Sequence, residues 1–474
     1  MIKTKIVATV GPACDKADVI GNMIESGVSV FRLNFSHGTL DDHARFLHAL
    51  NAARAGHSET VAVMGDLCGP KIRTAVIRPE GYVLNAGDEI TITDETSDGT
   101  PARFGTNYPP FVADVAAGQR VFIDDGAIAL RVIDKRPGEI VCRVLAGGPL
   151  YSRKGINLPD TDLSTASITD RDWECVDWAI EQKLEFLALS FVRTADEIRL
   201  LKDYIAKAGS DIKVVAKIEK PQAIDHLEAI VRASDVVLVA RGDLGVEMDL
   251  AEVPLIQKRI TRLCGRFGVP VIVATQMLQS MIEVPSPTRA EVSDVANAIM
   301  DFTDAVMLSG ETAIGKYPIE SVKAMGRIAH VTEAWLDSLD ELRPKIETND
   351  DLAAAAAMAR TIAHLVDDIA PRLVATWSET GEAARLLSKA RIDVPILALS
   401  SSERVCRQMC LHHGVVPRQA SVCDGLEEFT ALAQRLAIEN RLAHRSDKIV
   451  MVAGSPIGRS ETATAIMVHT VTAP

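Results

Sequence analysis

The sequence predicts an α/β protein with a (β/α)8 barrel, a small all-β domain inserted into that barrel, and a C-terminal doubly wound α/β domain. Eight short apolar runs, each followed by a segment of helical periodicity, show the strand–helix alternation of a closed barrel. After the third run, residues 70–155 contain short β-type runs separated by Gly, Pro, Asp and Asn, which is typical of an all-β domain. A second alternation begins after the polar residues 340–350. An open doubly wound sheet is the alternative for the first eight strands.

These elements divide the chain into three predicted domains. We expect a catalytic barrel over 1–69 and 156–339, an inserted lid over 70–155, a linker at 340–350, and a C-terminal domain, a candidate regulatory domain, over 351–474. The expected barrel strands are 5–10, 28–35, 60–67, 186–191, 212–218, 235–240, 270–275 and 304–308. In the C-terminal domain we expect strands at 372–376, 395–399, 414–416, 448–452 and 463–471.

Composition excludes several classes of partner. The 474 residues exceed what a single core holds, so several domains are expected. With 51 basic and 64 acidic residues the net charge is −13, and no basic block favours a nucleic acid or an anionic membrane. No apolar run approaches the ~20 residues of a membrane span, and the N-terminus lacks a signal-peptide pattern. We therefore expect a cytoplasmic protein with no nucleic-acid or membrane partner.

The eight cysteines also favour a reducing compartment. None of them forms a Cys-x-x-Cys pair, so we expect small core or surface residues with free thiols. Cys406 and Cys410 lie one helical turn apart, close in sequence to His412 and His413. A metal site built from these four residues is the alternative.

Residues 214–248 carry the first chemical signal, because they contain two adjacent predicted strands that both end in charge. Lys217 and Glu219 end the first strand, and Arg241 and Asp243 follow the second. The carboxyl ends of barrel strands are where such folds place their chemistry. Two carboxylates suit Mg²⁺, and a neighbouring lysine suits a phosphate. A surface pair between Lys217 and Glu219 is the alternative interpretation.

Polar side chains end seven of the eight predicted strands, so the signal extends around the barrel. In chain order they are Arg32, Asn34, Ser36, His37, Asp66, Ser190, Arg193, Lys217, Glu219, Arg241, Asp243, Thr275, Gln276, Ser309 and Glu311. Parallel strands bring these ends to one rim, which predicts a single active site there.

Several long motifs, in a fixed order, cover nearly the whole chain: KIVATVGPA, FRLNFSHG, GPKIRT, KGINLP, AKIEKPQA, ARGDLGVE, ATQMLQSMI, PTRAEVSDVANA and MLSGETAIGKYP. In these motifs the sequence resembles the pyruvate kinase family. The resemblance implies transfer of the phosphoryl group of phosphoenolpyruvate to ADP, giving pyruvate and ATP. It also implies a homotetramer.

The resemblance assigns roles at the centre of the rim. Glu219 and Asp243 match the carboxylates that hold Mg²⁺ (or Mn²⁺), and Lys217 matches the lysine on the transferring phosphoryl group. Phosphoryl transfer depends on positioning and charge neutralisation, which is why cations dominate this set. Thr275 matches the threonine that protonates the enolate face, and Gly242, with Asp243, matches the place where the substrate carboxylate binds.

The resemblance assigns further roles to residues around that centre. Arg32 and Arg73 match phosphate-binding arginines, with Arg32 among the catalytic residues, and Ser309 joins the substrate-binding set. The nucleotide-binding residues that the resemblance implies are Asn34, His37, Arg73 and Lys154. We interpret Arg241 as structural.

The resemblance also concerns a binding site for a monovalent cation. Relatives bind K⁺ with side chains matching Asn34, Ser36 and Asp66 and with a backbone carbonyl at the position of Leu67. Here Lys71 stands where cation-dependent members carry glutamate. An ammonium near Asp66 would supply the positive charge of K⁺. We therefore expect that K⁺ is not required; a solvent-facing Lys71 beside an ordinary K⁺ site is the alternative.

In the C-terminal domain the resemblance implies a site for a phosphorylated allosteric effector. Ser378, Thr380, Gly381 and, in a late loop, Arg459 are the candidate ligands. The acidic residues Glu379 and Glu382 disfavour a sugar bisphosphate there, and Glu461 replaces an expected glycine.

Two other functions fit parts of the sequence. A Mg²⁺-dependent lyase acting on pyruvate or phosphoenolpyruvate would also need Glu219 and Asp243, but it would need neither the lid nor Lys154 and Lys217. A catalytically inactive metabolite sensor would be expected to lack Lys217, Glu219, Asp243 or Thr275, and all four are present.

Overall fold

The computed structural model describes residues 2–95, 98–338, 353–454, 457 and 465–472. It confirms the predicted fold class. The predicted linker, residues 340–350, lies outside the described residues. The domain boundaries drawn above stay predictions.

The strands follow the predicted order. The barrel begins with β1 (Lys5–Thr9), β2 (Val28–Asn34) and β3 (Ala62–Asp66). The insertion contributes β4 (Tyr82–Val83), β5 (Glu89–Thr93), β6 (Arg103–Gly105), β7 (Arg120–Ile123), β8 (Ile128–Arg136), β9 (Glu139–Ala146), β10 (Pro149–Leu150) and β11 (Ile156–Asn157). The barrel continues with β12 (Phe186–Leu189), β13 (Lys213–Ile218), β14 (Val236–Ala240), β15 (Val271–Ala274) and β16 (Ala305–Leu308). The C-terminal domain has β17 (Leu373–Trp377), β18 (Ile396–Ser400), β19 (Val415–Gln419), β20 (Lys448–Ala453) and β21 (Ala465–Thr470).

The eight barrel strands form a closed parallel ring. Strand β1 pairs with β2 on one side and with β16 on the other, which closes the sheet and excludes the open doubly wound alternative. The strands are continuous apolar runs because both of their faces are covered.

Helices alternate with these strands. They are α1 (Ala17–Glu25), α2 (Leu40–Arg54), α3 (Phe111–Asp114), α4 (Asp170–Glu181), α5 (Ala195–Lys207), α6 (Pro221–Asp225), α7 (Leu227–Ala233), α8 (Arg241–Glu247), α9 (Val253–Phe267), α10 (Arg289–Met300), α11 (Gly310–Ala313), α12 (Pro318–Leu336), α13 (Ala353–Ile369), α14 (Glu382–Lys389), α15 (Glu403–Gln408) and α16 (Leu426–Glu439). Thr39, Thr169 and Thr288 begin α2, α4 and α10 with capping boxes that satisfy free N–H groups.

Two helical details follow β13 and β14. The helical segment that begins at Pro221 is divided into α6 and α7 at His226, whose φ of −104° and ψ of 16° interrupt the helix. The segment directly after β14 is the short helix α8. Its sequence, RGDLGVE, lacks the apolar periodicity that would have indicated a helix.

The inserted region forms a small β-domain with its own core. Strands β11, β7, β8, β9, β5 and β6 make one sheet, and β10 pairs with β4. Phe104, Phe111, Ile123 and Leu130 are buried at the centre of a cluster separate from the barrel core. Strand β11 extends this sheet two residues past position 155.

The C-terminal domain is doubly wound, as expected. Its sheet has the order β19-β18-β17-β20-β21, parallel except for the antiparallel pair of β20 and β21. Alternate residues of β17 face two different cores: Val374 packs with helices α13 and α14, and Ala375 packs with α16. Helices therefore cover both faces of the sheet.

The C-terminal domain closes the amino-terminal end of the barrel. Cys410 and Leu411, in a 3-10 turn over Met409–Leu411, join the core inside the ring with Val7, Phe186 and Val215. The Cys410 thiol donates to the carbonyl oxygen of Thr60 across 3.1 Å. We refer to Cys410 and Leu411 as the barrel floor.

A buried ion cluster holds the two domains together at the same end. Asp304, just before β16, lies 2.8 Å from the Lys389 ammonium and 3.0 Å from the Arg391 guanidinium. All three side chains are at most 5% exposed. Breaking such a buried cluster is costly because it leaves an uncompensated charge.

Among the described residues, no helix is both long and apolar enough to cross a membrane.

Candidate active site

Lys217 lies at the centre of a buried ionic network at the carboxyl ends of the barrel strands. Its ammonium is 2.8 Å from Glu219 Oε1 and 3.2 Å from Asp66 Oδ1, and it donates to Ser190 Oγ across 2.7 Å. The Phe191 N–H donates to the second oxygen of Glu219 across 2.9 Å. The pair is therefore not the surface pair that the sequence left open.

Arg32 completes the network from the neighbouring strand. Its Nε donates to Asp66 Oδ2 across 2.7 Å, and its Nη1 donates to Thr9 Oγ1 across 3.0 Å. Asp66 is 1% exposed and lies between Arg32 and Lys217. This carboxylate fixes both cations, because two charge-assisted contacts share it.

The network keeps Lys217 charged. Burial opposes the charge, but the carboxylates of Asp66, Glu219 and Asp243 outweigh burial and raise the pKa of Lys217. A permanent ammonium at this position can neutralise a phosphoryl group throughout the physiological pH range.

Glu219 and Asp243 have the chemistry of a divalent-cation site. Burial raises the pKa of Glu219; Lys217 opposes this effect, and the nearby charge of Asp243 adds to it. Within the described parts of the chain, no group of three or more His, Cys, Asp and Glu residues is arranged to hold a metal ion by itself. Two carboxylates with room for substrate oxygens and water match the preference of Mg²⁺, so these residues fit that ion.

Thr275 and Gly242 are joined directly. Thr275 follows β15 with a φ of +70°, and its Oγ1 accepts a hydrogen bond from the Gly242 N–H across 2.6 Å. The same hydroxyl donates to the Ala274 carbonyl oxygen at 2.6 Å. The N–H expected to face the substrate carboxylate is thus engaged by Thr275 in this structure.

Arg241 supports this turn. Its guanidinium donates to the Thr275 carbonyl oxygen across 2.9 Å and to Asp294 Oδ1 across 2.6 Å. These contacts agree with the structural interpretation of Arg241, since they tie α8 to the residues after β15.

Ser309 lies at the end of β16, on the same rim. Its N–H donates to Glu311 Oε2 across 2.7 Å, and the other oxygen of Glu311 accepts from the Leu278 N–H at 3.0 Å. Glu311, 1% exposed, thereby links the loops that follow β15 and β16.

A cavity of about 400 Å³ opens between this rim and the inserted domain. We call it the mouth cavity. It brings together His37, Arg73, Lys154 and Asp243, from both domains. Lys154 is 3.0 Å from Asp124 Oδ1, and its ammonium lies over the Tyr151 ring. Burial, followed by the charges of Lys71, Arg32 and Arg73, lowers the pKa of His37. The cavity is thus rich in positive charge and suits an anionic ligand.

The residues of the predicted monovalent-cation pocket make hydrogen bonds with their neighbours. Asn34 Oδ1 accepts from the Ser36 N–H at 3.2 Å, and the Leu67 carbonyl oxygen accepts from Ser190 Oγ at 2.8 Å. Lys71 is exposed and lines the mouth cavity. In the described part of the chain, the cations that contact Asp66 are Arg32 and Lys217. Lys71 makes no ion pair with Asp66 among these contacts, and the expectation that its charge replaces K⁺ stays a prediction.

The sequence did not reveal a polar link between the barrel and the inserted sheet. Glu247, at the end of α8, accepts from the Lys220 ammonium at 2.6 Å and from the Asn157 side-chain amide at 2.8 Å. Lys220 and Asn157 also line the mouth cavity. Lys220 follows Glu219 directly, and that second charge after β13 was the available signal.

The three described candidate effector residues, Ser378, Thr380 and Gly381, lie between β17 and the start of α14. Ser378 is buried and its Oγ accepts from the Ala384 N–H at 3.4 Å, whereas Thr380 and Gly381 face the barrel side of the domain. Glu379 accepts from the Trp377 indole N–H at 3.0 Å and from Ser401 Oγ at 2.9 Å. Arg459 and Glu461 lie outside the described residues.

The cysteines near the barrel floor are buried. Cys406 and Cys410 bear free thiols, and burial raises the pKa of each, to about 11 and about 12 respectively. High pKa values are typical of inert core cysteines.

The chain is similar to known pyruvate kinases over nearly its whole length. The model of the pyruvate kinase barrel domain matches residues 1–322, and the model of the pyruvate kinase alpha/beta domain matches residues 356–469. The chain is 39% identical to a pyruvate kinase of Geobacillus stearothermophilus over 472 residues, which is 99% of this chain and 80% of that protein. It is 38% identical to a pyruvate kinase of Thermococcus litoralis, covering 97% of this chain and 96% of the relative. The crystal structure of a pyruvate kinase from Cryptosporidium parvum matches with a TM-score of 0.92 and 33% identity, over 99% of this chain and 96% of the other.

Proposed function

The chain belongs to the pyruvate kinase family, whose members are phosphotransferases, and we propose that it transfers the phosphoryl group of phosphoenolpyruvate to ADP, forming pyruvate and ATP. The observation that carries this proposal is the position of Lys217. It is a permanently charged lysine, held by Glu219 and Asp66, at the rim that adjoins the mouth cavity.

The proposed mechanism begins with neutralisation of charge. Lys217 and Arg32 bind the phosphoryl group of phosphoenolpyruvate, and Asp66 keeps their two cationic groups at a fixed spacing. Glu219 and Asp243 would hold Mg²⁺ (or Mn²⁺), which supplies further positive charge to the oxygens of the substrate when bound. Preorganised charges of this kind favour transfer because they need little rearrangement in the transition state.

The nucleotide is proposed to enter through the mouth cavity. Arg73, Lys154 and His37, which line that cavity, bind the ADP phosphates there. Asn34, the last residue of β2, lies on the rim of the barrel. Arg73 and Lys154 lie on the two chain segments that connect the barrel to the inserted domain. Closure of that domain over the nucleotide would exclude water from the transferring group.

The enolate is proposed to be protonated on the side of Thr275. Its hydroxyl oxygen accepts a hydrogen bond from the Gly242 N–H, and its O–H donates to the Ala274 carbonyl oxygen. These two hydrogen bonds fix the orientation of the O–H bond. The carboxylate of the substrate is proposed to lie beside Gly242 and Asp243, with Ser309 nearby at the end of β16, the strand that pairs with β15.

A coupled assay tests the reaction. Purified protein with phosphoenolpyruvate, ADP and Mg²⁺ should form pyruvate and ATP in equal amounts, and omission of ADP or Mg²⁺ should abolish both products. Pyruvate formation without ATP would instead indicate a lyase or a phosphatase and would refute the proposal.

We also propose that catalysis does not require K⁺. The support is the ammonium of Lys71 at the mouth cavity, where its charge lowers the pKa of His37. The test uses tetramethylammonium as the sole monovalent cation, for the wild type and for Lys71→Glu. Full wild-type activity with K⁺ dependence in the variant supports the proposal, and a wild type that is inactive until K⁺ is added refutes it.

Further properties are proposed from the family. We propose a cytoplasmic homotetramer, and the free thiols of all eight cysteines favour a reducing compartment. Leu250, Leu255 and Ile314 are each at least 67% exposed, and an assembly would cover apolar side chains of this kind. Light scattering on the purified protein should give four times the mass of one chain; a monomeric mass would reject the tetramer.

A further inference from the structure

Glu247 connects three segments of the chain that meet beside the mouth cavity. Its Oε1 accepts from the Lys220 ammonium at 2.6 Å and from the Asn157 side-chain amide at 2.8 Å. Lys220 directly follows Glu219, and Glu247 ends α8, the helix that carries Asp243. Asn157 ends β11, the strand that joins the inserted sheet by pairing with β7. A single carboxylate therefore links the inserted sheet to the two barrel segments that carry the proposed metal-binding residues.

The two partners of this carboxylate have different roles. Glu247 is 2% exposed and Lys220 is 7% exposed, so they form a buried ion pair in which each charge compensates the other. The amide of Asn157 is neutral, so its hydrogen bond adds a direction to the contact and no charge. Lys220 thus keeps Glu247 ionised inside the protein, and Asn157 makes the connection to the inserted sheet.

The second oxygen distinguishes Glu247 from buried carboxylates that serve the fold alone. Its Oε2 is buried and has no hydrogen-bond partner in the described part of the chain. Asp304 and Glu311, in contrast, each bind donors with both of their oxygens. Buried polar atoms are nearly always hydrogen-bonded. The free oxygen of Glu247 can therefore accept a further donor when the inserted sheet moves.

The two halves of the proposed active site are held by different contacts. Lys217 and Arg32, which face the phosphoryl group, are fixed by Asp66, another barrel residue. Lys154, which is proposed to bind the nucleotide, lies just before β11 on the segment that Asn157 ties to the barrel. The position of Lys154 relative to the barrel therefore depends on the link to Glu247, whereas the positions of Lys217 and Arg32 do not.

We propose that Glu247 is a positioning residue for the nucleotide: through Asn157 it holds the inserted domain where Lys154 and Arg73 reach the phosphates of ADP. The inference rests on the proposed function and adds to it a residue that acts through others. Without this hydrogen bond, the inserted domain spends less time in the position that binds ADP, and the apparent affinity falls by the same fraction.

Exchange of the two side chains tests the link. Asn157→Asp removes the donor and places a second carboxylate beside Glu247, so the KM for ADP should rise at least about tenfold. The KM for phosphoenolpyruvate and kcat at saturating ADP should change by less than about threefold, because the barrel alone fixes the phosphoryl-binding groups. A general loss of stability would not produce this division between the two substrates.

The double variant Asn157→Asp/Glu247→Gln provides the rescue. It keeps one carboxylate and one amide at these two positions with the same total charge, so the hydrogen bond forms with the opposite polarity. Because residues in contact are not additive, most of the affinity for ADP should return. Asn85→Asp is the matched control: Asn85 is an exposed residue of the inserted domain that does not line the mouth cavity, and its substitution should change neither KM.

Calorimetric titration with ADP and Mg²⁺, without phosphoenolpyruvate, gives a readout that needs no catalysis. The wild type and the double variant should bind ADP with similar affinity, and Asn157→Asp should bind at least about tenfold more weakly. A wild type that binds ADP but forms no pyruvate would reject the proposed function, while the titration would still compare the affinities of the variants.

Two results would overturn the proposal. One is wild-type affinity for ADP in Asn157→Asp. The other is a folded double variant that binds ADP no better than Asn157→Asp, with folding verified by circular dichroism. If the double variant does not fold, Asn157→Ala decides: it removes the donor without adding a charge and should weaken ADP binding at least about fivefold. Unchanged affinity in Asn157→Ala would refute the role of the link.

Discussion

The Gly242 N–H donates to the Thr275 hydroxyl across 2.6 Å, which joins the start of α8 to the end of β15. A Cβ at position 242 would lie 3.3 Å from the same hydroxyl oxygen, so the contact leaves no room for a larger residue without adjustment. This link places the proposed proton donor beside the segment that carries Asp243.

Thr275→Val should slow proton exchange at C3 of pyruvate by about 10²-fold, since it removes the proposed proton donor while keeping the shape of the side chain. Thr275→Ser, which retains the hydroxyl, should keep most of the exchange rate. Exchange is measured by deuterium incorporation into pyruvate. If Val and Ser lowered the rate equally, retention of the hydroxyl would give no advantage, and the proposed role would fail.

Lys217→Met should abolish phosphoryl transfer, with a loss of at least about 10²-fold in kcat, while exchange at C3 of pyruvate stays measurable. The expectation follows from the separation of Lys217, on the phosphoryl side, from Thr275 on the enolate side. Both rates are measured on the same preparation. A variant that keeps a tenth or more of wild-type turnover would contradict the assignment of Lys217.

Deletion of residues 74–152, with the ends joined by a short linker, should leave a folded barrel without kinase activity. The two connecting segments are adjacent: the Thr74 N–H donates to the Lys154 carbonyl at 2.9 Å, and Arg73 bridges Gly155. The inserted domain also has a separate core, so its removal does not open the barrel core. Circular dichroism and the coupled assay measure the two outcomes. Substantial ATP formation by the shortened protein would refute the role of the inserted domain.

Stability should fall as the pH decreases below about 6.5, in part because of His412. The pKa of His412 is lowered from 6.5 to about 3 by burial and by Arg385, so the unfolded chain binds a proton over this interval and the folded protein does not. Proton binding to the unfolded state lowers the free energy of unfolding, by about 2 kcal/mol between pH 7 and pH 5.

His412→Gln should therefore make the melting temperature less dependent on pH in this range. His413, whose pKa is also lowered by burial, remains in the variant, so part of the dependence should persist. His330→Gln, at an exposed position of α12, is the matched control and should change nothing. Equal pH dependence in His412→Gln and the wild type would disprove the contribution of His412.

The barrel was predictable because its strands are short apolar runs buried on both faces. β13 and β14, for example, lie within one residue of their predicted bounds. Helix α8 was not predictable in the same way, since two glycines and three charges in seven residues conceal its periodicity. Its existence depends on tertiary contacts such as those of Arg241 with Thr275 and Asp294.

Much of the candidate site could also be predicted from the polar residues at the ends of the strands. Lys217, Glu219 and Asp66 are brought together because parallel strands end at one rim. Which charges contact each other could not be read from the sequence. Lys71, for example, follows a turn at Gly69 and Pro70 and lines the mouth cavity, and it makes no ion pair with Asp66 among the described residues. The link of Glu247 to Asn157 joins residues 90 positions apart, and no local pattern encodes it.

The barrel floor has a consequence for biosynthesis. A ribosome makes all eight barrel strands before it reaches Cys410 and Leu411, so the interior of the nascent ring lacks its last two apolar side chains until the C-terminal domain emerges. The barrel therefore completes its packing only after more than a hundred further residues have been added beyond β16, and a prematurely terminated chain would expose the inside of the ring to water.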